Sequence, residues 1–379
     1  MSGITVGVSV NNLADEYTLD DLLHAALRAE ELGFGAVWVH DAPLGRRTVA
    51  AWDPVAVLAA LGRETRRVQL ATGIYQPHLR NPVAVAQSWA TADELCGGRT
   101  IMGVGTGAGK SRLVHREYDA LAALRPEGTP DPDALYRGRS RLFFESIQVI
   151  RRLWTEDHVT FEGEFVRLRD VTLGLARARR RPHPPIVIGA GHYIPKSVGG
   201  AVHHMWSNDR AGRWLPGPLD RVGAFGDGWI TVQVTPDEYA SARDRVLAAR
   251  PEHLRGTPFT LAFNCVVNVN DDAATALFEV DRHLNEFHGP PVPADLVQRW
   301  GVVGSPRSVA EQLSRYVEQG VTLFQLVIGS RDELGQMKRL GEEVLPLLEE
   351  LTGGSAPTVA ELAHPEPPPA RTERFRRTS

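Results

Sequence analysis

Short apolar runs rich in β-branched residues alternate along the chain with longer segments of helical period, and this alternation limits the fold more than any other feature. Repeated strand and helix units build a parallel sheet, because one parallel strand is reached from another only through a crossover, usually helical. Residues 4–10 read as a first strand, followed by strands at 36–39, 68–71 and 100–104. Between the first two, Leu19, Leu22, Leu23, Ala26, Leu27 and Glu30 recur at the spacing of one buried helical face and its flank, with Thr18 placed to cap and Gly33 to stop. Helices near 54–62 and 82–95 separate the next strands. Runs at 186–188, 229–232, 259–269 and 323–328 bring the strands to eight, a number that favours closure into a barrel. Helices near 136–154, 236–249, 273–286, 306–319 and 333–351 accompany the second half, and Ser305 before Pro306 pairs a capping hydroxyl with a proline suited to the first helical position.

Two segments exceed the usual βα connection of ~2–6 residues. Residues 108–181 contain a helix and a hairpin or excursion through 159–161 and 165–168, and read as an insertion over the barrel mouth. Residues 191–219, with Tyr193, Trp206 and Trp214, read as a lid, an aromatic wall for a large substrate or a dimer contact. The expected domain is therefore 1–351, followed by a flexible tail at 352–379 in which Pro365, Pro367, Pro368 and Pro369 cluster.

Charge narrows the partners. The 42 basic and 46 acidic residues give a net charge of −4, so no global field favours nucleic acid or an anionic membrane. Only Cys96 and Cys265 are present, which excludes a disulfide framework and a cysteine-based metal site. His203 and His204 are adjacent and would not both face one metal from a regular element, so no metal is expected. No run reaches the ~20 apolar residues of a membrane span. The start of the chain carries no charged segment ahead of an apolar run, and a cytoplasmic location is the expectation.

In such a barrel chemistry sits at the C-terminal ends of the strands. The residues there are Asn11 and Asn12; His40 and Asp41; Gly73, Ile74, Tyr75, Gln76 and His78; Gly105, Thr106 and Gly107; and Gly189, Ala190 and Gly191. Glycines at these points let a flat or phosphorylated ligand approach the backbone, or simply turn the chain. His40 can serve as acid or substrate donor near neutral pH, or can face away, since alternate strand residues point to opposite sides. Tyr75 and His78 are alternative acids or pocket wall. Lys110 and Arg112 follow the glycine run and suit an acidic cofactor tail, a substrate carboxylate or open solvent.

The run Ala29-Glu30-Glu31-Leu32-Gly33-Phe34-Gly35-Ala36-Val37-Trp38-Val39 resembles the bacterial luciferase-like superfamily of flavin- and F420-dependent oxidoreductases. So do Leu70-Ala71-Thr72-Gly73-Ile74, Asn81-Pro82-Val83-Ala84-Val85-Ala86-Gln87 and Gly103-Val104-Gly105-Thr106-Gly107. Pro184-Pro185-Ile186-Val187-Ile188-Gly189-Ala190-Gly191, Gly226-Asp227-Gly228-Trp229 and Gly304-Ser305-Pro306 continue the pattern in order across residues 4–350. The resemblance implies a (β/α)8 TIM barrel that binds F420 or, alternatively, FMN at the strand ends, with Asp41, Gly73, Ile74, Gly105, Thr106, Gly107, Gly189, Ala190 and Gly191 as cofactor-binding positions. It also implies a non-prolyl cis peptide at Gly73–Ile74 behind the ring. The glycine run looks more like the F420 branch, and a composition with only three lysines, Lys110, Lys196 and Lys338, suits the GC-rich bacteria in which that cofactor is common.

Departures from the pattern matter equally. F420-dependent dehydrogenases carry Asp-His at the second strand end and a glutamate after the Thr-Gly pair; here Ala42 follows Asp41, and Ala108 stands at the second position. Alcohol oxidation needs a base, and general base assistance is worth ~10²–10⁴-fold. The expected activity is therefore F420H2-dependent hydride delivery to a C=C or C=N bond of a specialised-metabolite or peptide substrate. An FMNH2-dependent two-component monooxygenase and a non-catalytic flavin-binding relative are the alternatives. The resemblance further implies a separate cofactor reductase and a homodimer.

Overall fold

The computed structural model describes residues 3–13, 16–42, 51–107, 132–174, 183–190, 214, 216–288 and 291–353. Among them eleven strands occur: β1 (Thr5–Ser9), β2 (Ala36–Val39), β3 (Gln69–Thr72), β4 (Thr100–Gly105), β5 (Val159–Glu162), β6 (Arg167–Val171), β7 (Ile186–Gly189), β8 (Gly228–Val232), β9 (Thr260–Val269), β10 (Gly301–Gly304) and β11 (Leu323–Ile328). Eight of these, in the order β1-β2-β3-β4-β7-β8-β9-β11, pair in parallel and close as β11 returns to β1. Helices lie between successive strands, so the expected (β/α)8 barrel is present. No helix among the described residues is long and apolar enough to cross a membrane.

Alternation along each strand divides the apolar residues between two cores. Ala36, Trp38, Ala71, Ile101, Val187, Ile230, Ala262 and Leu323 fill the lumen, while Val37, Val39, Leu70, Met102, Val104, Ile186, Ile188 and Phe263 pack under the helices. Trp38 is the largest lumen side chain, and its indole N–H donates to Phe324 O at 3.2 Å. Gly7 makes room for it, since a Cβ there would stand 2.8 Å from Ala36 Cβ and 2.9 Å from Phe324 O.

The first helix, Leu19–Glu31, begins with a reciprocal capping box between Thr18 and Asp21 and ends before Gly33, whose φ of +88° suits glycine. On its buried side Glu30 accepts backbone N–H bonds from Arg66, Arg67 and Val68 at 2.6–3.1 Å, holding the turn that enters β3. The last helical segment, expected as one helix, contains a π turn at Leu340–Val344 just ahead of Pro346, which has no N–H to offer the preceding turn.

The described part of the expected insertion lies along the barrel wall. Helix Pro132–Thr155 takes the fourth place in the outer ring: Trp154 donates to Ala86 O at 2.8 Å on one side, and Arg151 pairs with Asp227 at 2.9 Å on the other. The β5–β6 hairpin folds back against this helix, with Glu145 accepting from the N–H groups of Glu164, Phe165 and Val166 at 2.9–3.1 Å. Residues 108–131, and with them Lys110 and Arg112, lie outside the described residues. So do 191–213, which hold most of the expected lid, and the tail from 354.

Among the described residues two helices stand outside the ring. Helices Ala273–His288 and Ala294–Trp300, with β10 extending the edge of β9 past the end of β8, pack Val280, Leu284, Leu296, Val297 and Trp300 against Val266. Val232 and Val327, lumen positions near the C-terminal ends of β8 and β11, border the same cluster. A Cβ on Gly329 would lie 2.7 Å from Val266 and 2.8 Å from Val280, so the longer helix rests directly on the barrel's C-terminal rim. It forms a cap that the alternation pattern does not reveal.

Burial opposes the charge on Glu30, but the backbone donors of Arg67, Val68 and Arg66 outweigh it and hold the carboxyl below its ordinary value. Such a group contributes stability that is complete above the unfolded value of about 4.3 and is lost as pH falls through the lowered folded value. Glu30→Gln should lower stability by about 1 kcal/mol or more and flatten the acid limb of a denaturation midpoint plotted against pH.

Candidate functional site

At the C-terminal ends of β4 and β7, Gly105 and Gly189 are direct register partners. Ile74 lies over both: a Cβ on Gly105 would collide with Ile74 Cδ1, and one on Gly189 would stand 3.6 Å from it. The Gly73–Ile74 bond is cis, as the resemblance implies. Behind Gly73 is the amide of Gln325, whose Nε2 donates to Ser9 Oγ at 3.1 Å. The result is a shelf of one apolar side chain and bare backbone, the surface against which a flat ring can lie.

His40 continues the lumen phase of Ala36 and Trp38. Its backbone is locked by Asn12, whose Oδ1 accepts from His40 N and whose Nδ2 donates to His40 O, both at 2.8 Å. The imidazole Nδ1 is 3.3 Å from Gly73 O. A proton on Nδ1 makes that contact a hydrogen bond and gives Nε2 the role of exchanging a proton with a ligand.

Asn11, two residues beyond the end of β1, donates from Nδ2 to Glu333 Oε1, which also accepts from Tyr17 Oη at 2.8 Å. Burial raises the Glu333 carboxyl above its usual range despite these two donors. From the cap helix, the Phe287 ring comes within 5.7 Å of the His40 ring, and His283 lies parallel to Phe287 within 9° at 6.4 Å. Trp300 donates to Asn264 Oδ1 at 3.0 Å beneath the shorter cap helix.

Several expected site residues are turned elsewhere. Tyr75 is buried among the helices, its ring edge-on to Trp89 at 5.6 Å and covered by Arg80 at 4.4 Å, and burial pushes its phenol far above the ordinary value. It is not placed to act as an acid. His78 packs edge-on to Phe143 at 5.6 Å, and burial, helped by Arg139 and Arg80, holds its imidazole down to about 3. A neutral, enclosed imidazole gives no proton at neutral pH. Asp41 spends both oxygens on the Arg80 guanidinium at 2.8 Å and one also on Gln76 N–H at 2.9 Å, with its side chain only 1% exposed. It braces the loop after β3 and does not face the lumen.

Gly107 turns the chain at φ +73° beside the Gln76 amide. Thr106 stands at the same strand end, half-buried. Ala190 O accepts the Trp229 indole N–H at 3.0 Å, and Gly191 lies outside the described residues. The site residues that sequence reasoning missed are Gln325, Glu333, His283 and Phe287. Gln325 is in register with Gly7, so extending the lumen phase across β1 and β11 locates it; the other three depend on which helix crosses the rim.

The sequence profile of the luciferase-like monooxygenases matches residues 3–205, more than half of the chain. The chain belongs to the luciferase-like monooxygenase family. Among curated relatives it is 29% identical over 343 residues to an F420-dependent glucose-6-phosphate dehydrogenase of Intrasporangium calvum, covering 88% of this chain and 96% of the relative. A second enzyme so named, from Amycolatopsis mediterranei, is 28% identical and covers 89% and 97% respectively. The luciferase-like barrel also superposes on an F420-dependent secondary alcohol dehydrogenase solved with an F420-acetone adduct, with a TM-score of 0.70, 20% identity and coverage of 91% and 99%.

In this family member the structural role of His78 is open to a direct check. A base whose folded pKa is lowered contributes stability that is complete above the unfolded value of about 6.5 and decreases as pH falls toward the folded one. His78→Phe should remove that component from denaturant midpoints measured between about pH 6.5 and 4, and should leave the pH profile of turnover unchanged.

Proposed function

We propose that this protein is an F420-dependent reductase that delivers hydride to a C=C or C=N bond of a specialised-metabolite or peptide substrate. The observation that carries the reading is the shelf of Ile74 over Gly105 and Gly189, with His40 beside it in the lumen. The names of the curated relatives favour F420 over FMN. When bound in reduced form, F420 supplies the hydride.

The chain's own residues supply the rest. Ile74 and Gln325 support the ring from behind, and the absence of side chains at Gly105 and Gly189 brings backbone up to its edge. As hydride reaches one atom of the double bond, the other atom gains a proton, and His40 Nε2 is the group placed to give it. Ala42 and Ala108 leave the positions where alcohol-oxidising relatives carry proton acceptors without a titratable group, which favours the reductive direction. The reading brings with it a separate enzyme that regenerates reduced F420, and a homodimer in the cytoplasm.

Titration with each cofactor tests the reading. F420 should bind and FMN should not; tight FMN binding without F420 binding, or product formation only in oxygen, would select the monooxygenase instead. His40→Gln should leave F420 affinity unchanged while reducing kcat by ~10²–10⁴-fold. Gly105→Ala obliges the Ile74 side chain to rotate off the shelf, so F420 affinity should fall about tenfold, equivalent to 1.4 kcal/mol, with little change in melting temperature.

A further inference from the structure

The cap helix does more than close a rim. Its 16 residues span roughly 24 Å, enough to cross a barrel mouth. It is anchored through Val280 on Val266 and Gly329 at the ends of β9 and β11, and its last turn reaches β2, three strands away around the barrel, where Phe287 meets His40. Val280 and Leu284 are fully enclosed, as anchors should be, whereas His283 and Phe287 are only partly buried. Their rings are nearly parallel, and a centroid separation of 6.4 Å is too large for face-to-face contact, so they lie slipped past each other.

Charged neighbours on the same helix pair with other residues. Glu286 pairs with Arg331 at 2.7 Å, and Glu279 accepts from Asn268 at 2.6 Å. Burial also lowers the His283 pKa, Glu286 opposing this and Arg282 adding to it, so the ring favours its neutral form. His40 joins this pair to the shelf: its ring is 5.7 Å from Phe287 and its Nδ1 is 3.3 Å from the O of Gly73, the residue before Ile74.

We infer that His283 and Phe287, with His40 at their edge, form a subsite for a neutral, planar, conjugated ring, which is the substrate class this site would hold against the cofactor shelf. The role as acceptor rests on the proposed reductase reading, whereas the affinity for such a ring does not. Aromatic contacts favour a flat unsaturated ligand over its puckered saturated counterpart, because only the flat one meets both rings along a face. A charged ligand would lose its water and find no ionic partner in the Phe287 ring or in a neutral His283.

The test uses the full chain without cofactor and two probes, 2-naphthol and decahydro-2-naphthol, with binding followed by calorimetry and saturation-transfer NMR. The flat probe should bind about tenfold or more tightly than the saturated one. Phe287→Ala should abolish that preference, Phe287→Tyr should keep it, and Phe287→Leu, which retains bulk for the cap, should lose it with the melting temperature preserved. Equal binding of the two probes, no binding of either, or a preference that survives Phe287→Leu would overturn the subsite. F420 titration run alongside separates the two ideas: a naphthol preference without F420 binding rejects the reductase reading alone, and F420 binding without the preference rejects the subsite alone.

Discussion

Closure of the eight strands is the constraint on which the rest depends. Once β11 pairs with β1, every second residue of each strand is committed to a single enclosed lumen, and no position can be shifted without turning its neighbours inside out. Trp38 fills the middle because Gly7 yields to it, and the next step outward in the same phase is His40. The imidazole therefore stands at the mouth as a result of strand register, with Asn12 fixing its backbone afterwards.

Rigidity around the shelf comes from polar groups that never face a ligand. The Asp41–Arg80 pair behind the loop after β3 removes a carboxylate from solvent, and a desolvated charge is tolerated only where both oxygens find donors. Arg80 in turn covers Tyr75, whose backbone N–H bonds Gly103 O at 2.7 Å and whose O accepts from Gly105 N at 3.0 Å. A run of buried contacts thus leads from Asp41 to the strand that carries Gly105. Residues that look like catalytic candidates by type and spacing are here the supports of a wall built from backbone.

The barrel was legible because burial repeats with a period that the backbone dictates. All eight barrel strands are where their apolar runs lie, and the Thr18 cap and Gly33 stop follow from local chemistry. Side-chain direction at the strand ends was legible only where the lumen phase carries straight on, as at His40. Beyond β3 the chain leaves that phase at Gly73–Ile74, so Tyr75 and His78 turn outward although their types suit a pocket. The cap was hidden for another reason: Ala276, Val280, Leu284 and Phe287 form an ordinary apolar stripe, and nothing in a stripe tells whether it covers a barrel's side or its end. The four-residue β10 was too short to register as a strand of its own.

Gly73 O holds the Nδ1 edge of the His40 ring, and the Ile74 shelf covers one side of whatever lies on it. Reagents that add to a double bond in such a place arrive along directions set by main-chain atoms, which do not rotate as side chains do. On the proposed reductase reading, a prochiral acceptor would leave as a single enantiomer, its handedness written into the backbone between strands three and four.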